Sequence, residues 1–82
     1  MNQRESALLS GVERIFRDVF EEPNMPITPA TSRSQLPEWD SVAQVKLVLA
    51  MEETFSVEFT TDEVASIDTV GGFVAALESR SV

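Results

Sequence analysis

Residues 38–55 read EWDSVAQVKLVLAMEETF, and the fold turns on how that stretch is read. Gln44, Leu47, Val48, Met51 and Phe55 recur at the spacing of one helix face, and Val45 widens the apolar stripe. Asp40 suits the N-cap, because a carboxylate there accepts from first-turn amides and complements the helix dipole. The helix is therefore predicted to begin at Asp40 or Ser41, with the Ser41 hydroxyl exposed at its start. A serine so placed, directly behind a carboxylate, suits covalent modification by a phosphate-containing group. Val42, Lys46 and Leu49 fall on a second face. Two of the three are apolar, so that face is either a docking surface or packed against the preceding loop.

Upstream, Pro23, Pro26, Pro29 and Pro37 each lack an amide donor and restrain the residue before them. Residues 21–39 therefore read as a long loop, with Ile27 and Leu36 as its anchors to the core. A connection of that length is unusual in a compact domain and points to function or to a packed, meandering path. Further upstream, Leu8, Val12, Ile15, Phe16 and Val19 mark a first helix from about Glu5 to Phe20. Downstream, Thr60 or Thr61 caps a short helix over about Asp62 to Ser66, with Asp62 and Glu63 in its first turn. Asp68 or Thr69 caps a last helix, where Val70, Phe73, Val74 and Leu77 form one stripe. Gly71 and Gly72 in its first turn cost roughly 1 kcal/mol each relative to alanine, and their missing side chains leave room for a close backbone approach. The prediction is an all-α protein: a small four-helix bundle of three longer helices and one short one, in a single domain over residues 1–82.

Composition narrows the chemistry. The 82 residues contain neither cysteine nor histidine, which removes disulfides, thiolate metal clusters and imidazole catalysis. No paired carboxylates fall in a recognisable cleft, no run of alternating acids leads into a glycine as a calcium loop requires, and the glycine spacing matches no phosphate loop. An autonomous enzyme is therefore not expected, nor a metal site. The net charge of −8 is uneven: residues 34–82 hold nine acids against Lys46 and Arg80. Such a field repels nucleic acid and anionic lipid and steers basic protein surfaces toward the second half. No apolar run approaches the roughly 20 residues that span a bilayer, and the N-terminus lacks a secretory pattern. The expectation is a soluble, cytoplasmic monomer.

Asp40-Ser41-Val42, the apolar helix closing in Glu52-Glu53, Phe55, the acidic Asp62-Glu63, Ile67-Asp68 and the Val70 to Leu77 helix follow one another in a characteristic order and spacing. In that order the chain resembles the acyl carrier protein family from about Ile27 to Leu77. The resemblance implies that Ser41 takes a 4′-phosphopantetheine arm from coenzyme A through a phosphopantetheinyl transferase, with Asp40 beside it. The arm's terminal thiol, which the sequence lacks, then carries acyl groups as thioesters. It further implies that Val42, Lys46, Leu49, Glu52 and Glu53 dock partner enzymes in fatty acid, polyketide or related biosynthesis: ketosynthases, acyltransferases or ligases.

The chain also departs from that pattern. Carriers of primary fatty acid synthesis usually have small residues where Glu38-Trp39 stands here, and acids where Ala43 and Lys46 stand. Ala43 and Lys46 are therefore expected to tune partner choice, in a carrier dedicated to a specialised pathway. Trp39 is either a loop-to-core anchor or a surface for the arm and its partners. Two alternatives remain: an aminoacyl or peptidyl carrier of a nonribosomal pathway, and a carrier-like structural or interaction subunit that is never modified.

Overall fold

The computed structural model describes residues 3–80, the side chains of Arg4 and Glu5 apart. Four helices follow in chain order: α1 (Gln3–Phe20), α2 (Ser41–Phe55), α3 (Thr61–Ser66) and α4 (Val70–Arg80), with a 3-10 turn at Arg33–Gln35 inside the first loop. The predicted bundle of three longer helices and one short one is the observed architecture, with no strand among the described residues. The starts of α2, α3 and α4 follow the expected chemistry. The Asp40 carboxylate accepts from the Ala43 amide at 2.9 Å. Thr60 and Glu63 form a reciprocal capping box at α3, and the Thr69 hydroxyl accepts from the Gly72 amide at 2.9 Å.

The core is aromatic at its centre. Phe16 of α1, Trp39 of the loop and Phe73 of α4 meet there, Trp39 edge-on to Phe16 at 5.0 Å between centroids and stacked on Phe73 at 6.4 Å. Val12, Leu47, Met51, Val70 and Leu77 complete it. Where α1 crosses α2, Gly11 makes room for the Phe55 ring, since a Cβ there would sit 2.8 Å from its tip. With only 2% of its surface exposed, Trp39 is the loop-to-core anchor rather than a surface for partners. Ile27 is buried and Leu36 half-buried, as the anchoring role requires.

The long loop is a packed path. Arg17 Nε donates to the Met25 carbonyl at 2.9 Å. The Val70 and Gly71 amides donate to the Thr31 and Pro29 carbonyls, and the Arg33 amide donates to the Asp68 carbonyl at 2.8 Å. Gly71 is the close-approach glycine, because a Cβ there would stand 3.0 Å from the Pro29 oxygen. The loop is thus stitched to the start of α4, and that stitching brings Arg33 beneath the N-terminus of α2.

Candidate functional site

Ser41 is the first residue of α2, exposed, with Asp40 capping the turn behind it. The Asp40 carboxylate is engaged by the Ala43 amide, so its role in the structure is to fix the helix start on which Ser41 rides. The residue that reaches the hydroxyl comes from the loop. Arg33 Nε donates to the Trp39 carbonyl at 3.0 Å, and Arg33 Nη2 donates to Ser41 Oγ at 3.4 Å. A guanidinium and a helix N-terminus therefore converge on one exposed hydroxyl. Both favour an anion bonded at that oxygen. The residues present fit a phosphate ester.

Below Ser41, the helix is locked by Gln44, the buried polar residue of α2. Its Oε1 accepts from Trp39 Nε1 at 2.7 Å, while its Nε2 donates to the Val64 and Ile67 carbonyls at 2.9 and 3.0 Å. One amide thus ties the loop, α2 and the end of α3 together, and no buried side-chain polar atom among the described residues lacks a partner.

Val42 and Leu49 are 63% and 58% exposed, so they do not pack against the loop. Val45 joins them at 52%. That corrects its assignment to the core stripe: it lies one turn beyond Ser41, on the Ser41 side of the arc that Leu47, Val48 and Met51 bury. Lys46 and Glu53 are exposed along the same side. Ala43 is a second correction. It is buried, facing the interior, and so cannot present a side chain to a partner. Glu52 is half-buried, and its Oε2 accepts from the Phe59 amide at 2.9 Å. Its carboxylate closes the α2–α3 connection, whereas Glu53 points to solvent.

Arg33 was invisible to sequence reasoning. It sits eight positions before Ser41 in a segment without periodicity, and only the loop's path brings the two together. Its sole signal was a lone cation just ahead of a strongly acidic half. Gln44 left a better trace, a polar residue in the middle of an apolar stripe.

The family model described as "Phosphopantetheine attachment site" matches residues 10–77, a span that holds Ser41, α2, α3 and most of α1 and α4. The chain is 32% identical to "Acyl carrier protein" of Acidothermus cellulolyticus, over 92% of this chain and 89% of that one. It is 31% identical to "Acyl carrier protein 3" of Ralstonia nicotianae, over 88% and 83%. With "Acyl carrier protein" of Lactobacillus acidophilus it shares 29% identity over 93% and 95%. No solved structure matches the chain. A helix-start serine ringed by anion-favouring groups, in a bundle spanned by the attachment-site model and aligned nearly end to end with these relatives, places the chain in the acyl carrier protein family, whose covalent cofactor is 4′-phosphopantetheine.

Proposed function

We propose that Ser41 is the attachment residue and that the chain carries acyl intermediates as thioesters, presenting them to the enzymes of a dedicated biosynthetic pathway. The observation that carries this reading is the exposed Ser41 hydroxyl at the start of α2, bracketed by the Asp40 cap and the Arg33 guanidinium. In the loading reaction, Ser41 Oγ forms a bond to the phosphorus of coenzyme A's pantetheine phosphate. The pyrophosphate P–O bond breaks, adenosine 3′,5′-bisphosphate leaves, and the hydroxyl proton passes to a base on the transferase. Magnesium for this step is held by the transferase and its substrate. Once attached, the arm supplies the thiol that takes and gives up acyl groups. The chain supplies a rigid helix start, a tether root and a surface, so that a docked cargo meets an enzyme at high effective concentration.

Val42, Val45 and Leu49, with Lys46 and Glu53 beside them, are the face that meets the transferase and the acyl-handling enzymes. Contacts of this kind, a small apolar patch with charges, are brief and salt-sensitive, as a shuttle requires. Among the described residues, no helix is long and apolar enough to cross a membrane, which is compatible with a cytoplasmic, monomeric carrier.

The absence of cysteine offers a clean test. Any thiol that appears on the chain after incubation with coenzyme A, magnesium and a broad-specificity transferase belongs to the arm. Maleimide labelling should then report one thiol per chain, and acyl loading should block it. If no thiol appears while a control carrier is modified in parallel, the chain is an unmodified carrier-like subunit.

A further inference from the structure

We propose that Arg33 is a phosphate-binding residue that holds the root of the arm, a role that rests on Ser41 being the attachment point. Three observations carry the proposal. First, Arg33 is fixed from its backbone outward: its amide donates to the Asp68 carbonyl at 2.8 Å, and its Nε donates to the Trp39 carbonyl at 3.0 Å. Trp39 is itself buried in the aromatic core, so the guanidinium is anchored on a rigid platform. Second, Nη2 reaches Ser41 Oγ at 3.4 Å, a long contact to a neutral hydroxyl. A phosphate bonded to Oγ places charged oxygens near the atom that Nη2 already touches, exchanging a long hydrogen bond from a cation to a neutral hydroxyl for one between two opposite charges. Third, the chain as a whole is acidic. The chain carries −8 in total, and a further anion on Ser41 adds to that repulsion unless a cation stands beside it. Asp40 directly precedes the serine, which makes a local counter-charge the more necessary.

Bonded to Ser41 and held by Arg33 at a non-bridging oxygen, the phosphodiester would leave α2 in a restricted set of directions rather than swing freely from the serine. Arg33 therefore biases where the arm points, and it stabilises the loaded chain relative to the unloaded one.

The test compares unloaded and loaded protein for the parent, Arg33→Gln and Arg33→Lys. Intact mass confirms loading in each case. In the parent, loading should raise the melting temperature by roughly 2–6 °C at low salt, the scale of one partly exposed charge-assisted contact in a domain of this size. The increment should shrink as salt rises. In R33Q it should fall by at least half, with R33K intermediate. Because each variant is its own reference, loss of the Trp39 carbonyl contact cancels from the comparison. A second readout needs no variant: the Arg33 Nε–H resonance of the parent should shift on loading, and the phosphorus resonance of the loaded chain should differ between the parent and R33Q. Equal increments in all three proteins, or an Arg33 resonance unmoved by loading, would overturn the role of Arg33 while leaving attachment at Ser41 intact. Failure of the parent to gain mass would overturn both.

Discussion

Replacing Gln44 by methionine keeps most of the side-chain volume and removes both ends of its amide. Three groups then lose their partner: the Trp39 indole N–H and the carbonyls of Val64 and Ile67. Leaving a buried polar group unsatisfied costs about 1–3 kcal/mol. The Val64 contact is only partly buried, so its carbonyl regains water and counts at the low end. Methionine also returns about 1 kcal/mol through apolar burial. The net loss is therefore about 2–6 kcal/mol, a large share of the roughly 5–15 kcal/mol that holds a domain together. For a chain of this size each kcal/mol moves the midpoint by about 4–8 °C, so Gln44→Met should melt at least about 8 °C below the parent. Thermal and urea unfolding followed by circular dichroism would measure the loss. Trp39 is the chain's single tryptophan, and its emission should shift to the red as its N–H turns to solvent. Amide exchange should quicken in α3, a six-residue helix too short to persist without its tie to α2. A loss below about 1 kcal/mol with unchanged Trp39 emission would refute the reasoning, since the three groups would then have found other partners at little cost.

Four further outcomes follow from the charges. The Glu63 carboxyl is held below its usual range, first by the Thr60 amide and then by the Arg80 guanidinium. A lowered folded value means that this stabilisation is complete above the ordinary glutamate range and is lost as pH falls through the lowered one; Glu63→Gln should therefore flatten the acid side of the melting-temperature profile, and parallel profiles would contradict it. Nine acids against two bases after residue 33 repel one another in the folded chain, so salt or millimolar magnesium should raise the midpoint by a few degrees; an unchanged midpoint would mean that the acids are already well separated. Lys46→Glu, on an exposed face, should shift stability by less than about 0.5 kcal/mol yet improve turnover by primary fatty-acid-synthesis enzymes at low salt. Ala43→Asp, by contrast, places a carboxylate at a buried position and should cost about 2–4 kcal/mol. Equal turnover of parent and Lys46→Glu would show that Lys46 takes no part in docking.

Helix starts and stripes were legible because they are local. Asp40, Thr60 and Thr69 cap where short polar side chains precede apolar periodicity, and Val12, Phe16, Phe73 and Leu77 are buried where the period puts them. What escaped the sequence depends on the loop. Proline content marked residues 21–39 as irregular but said nothing of their path, and that path alone sets Arg33 against Ser41. The edges of the α2 stripe were also misread. Val45 and Ala43 flank the buried arc on opposite sides, and periodicity alone does not tell which flank the rest of the bundle covers; Ala43's is the covered one. Glu52 was expected among the docking residues, but its carboxylate accepts from the Phe59 amide across the α2–α3 connection.

The central claim, that this chain works by carrying a group on Ser41, is tested most directly by intact mass. The parent and Ser41→Ala are each incubated with coenzyme A, magnesium and a broad-specificity transferase, and their melting curves are recorded first. The parent should gain one phosphopantetheine per chain. Ser41→Ala should melt close to the parent, because the exposed hydroxyl holds nothing in the core, and it should gain none. A full mass increment on Ser41→Ala would contradict the account.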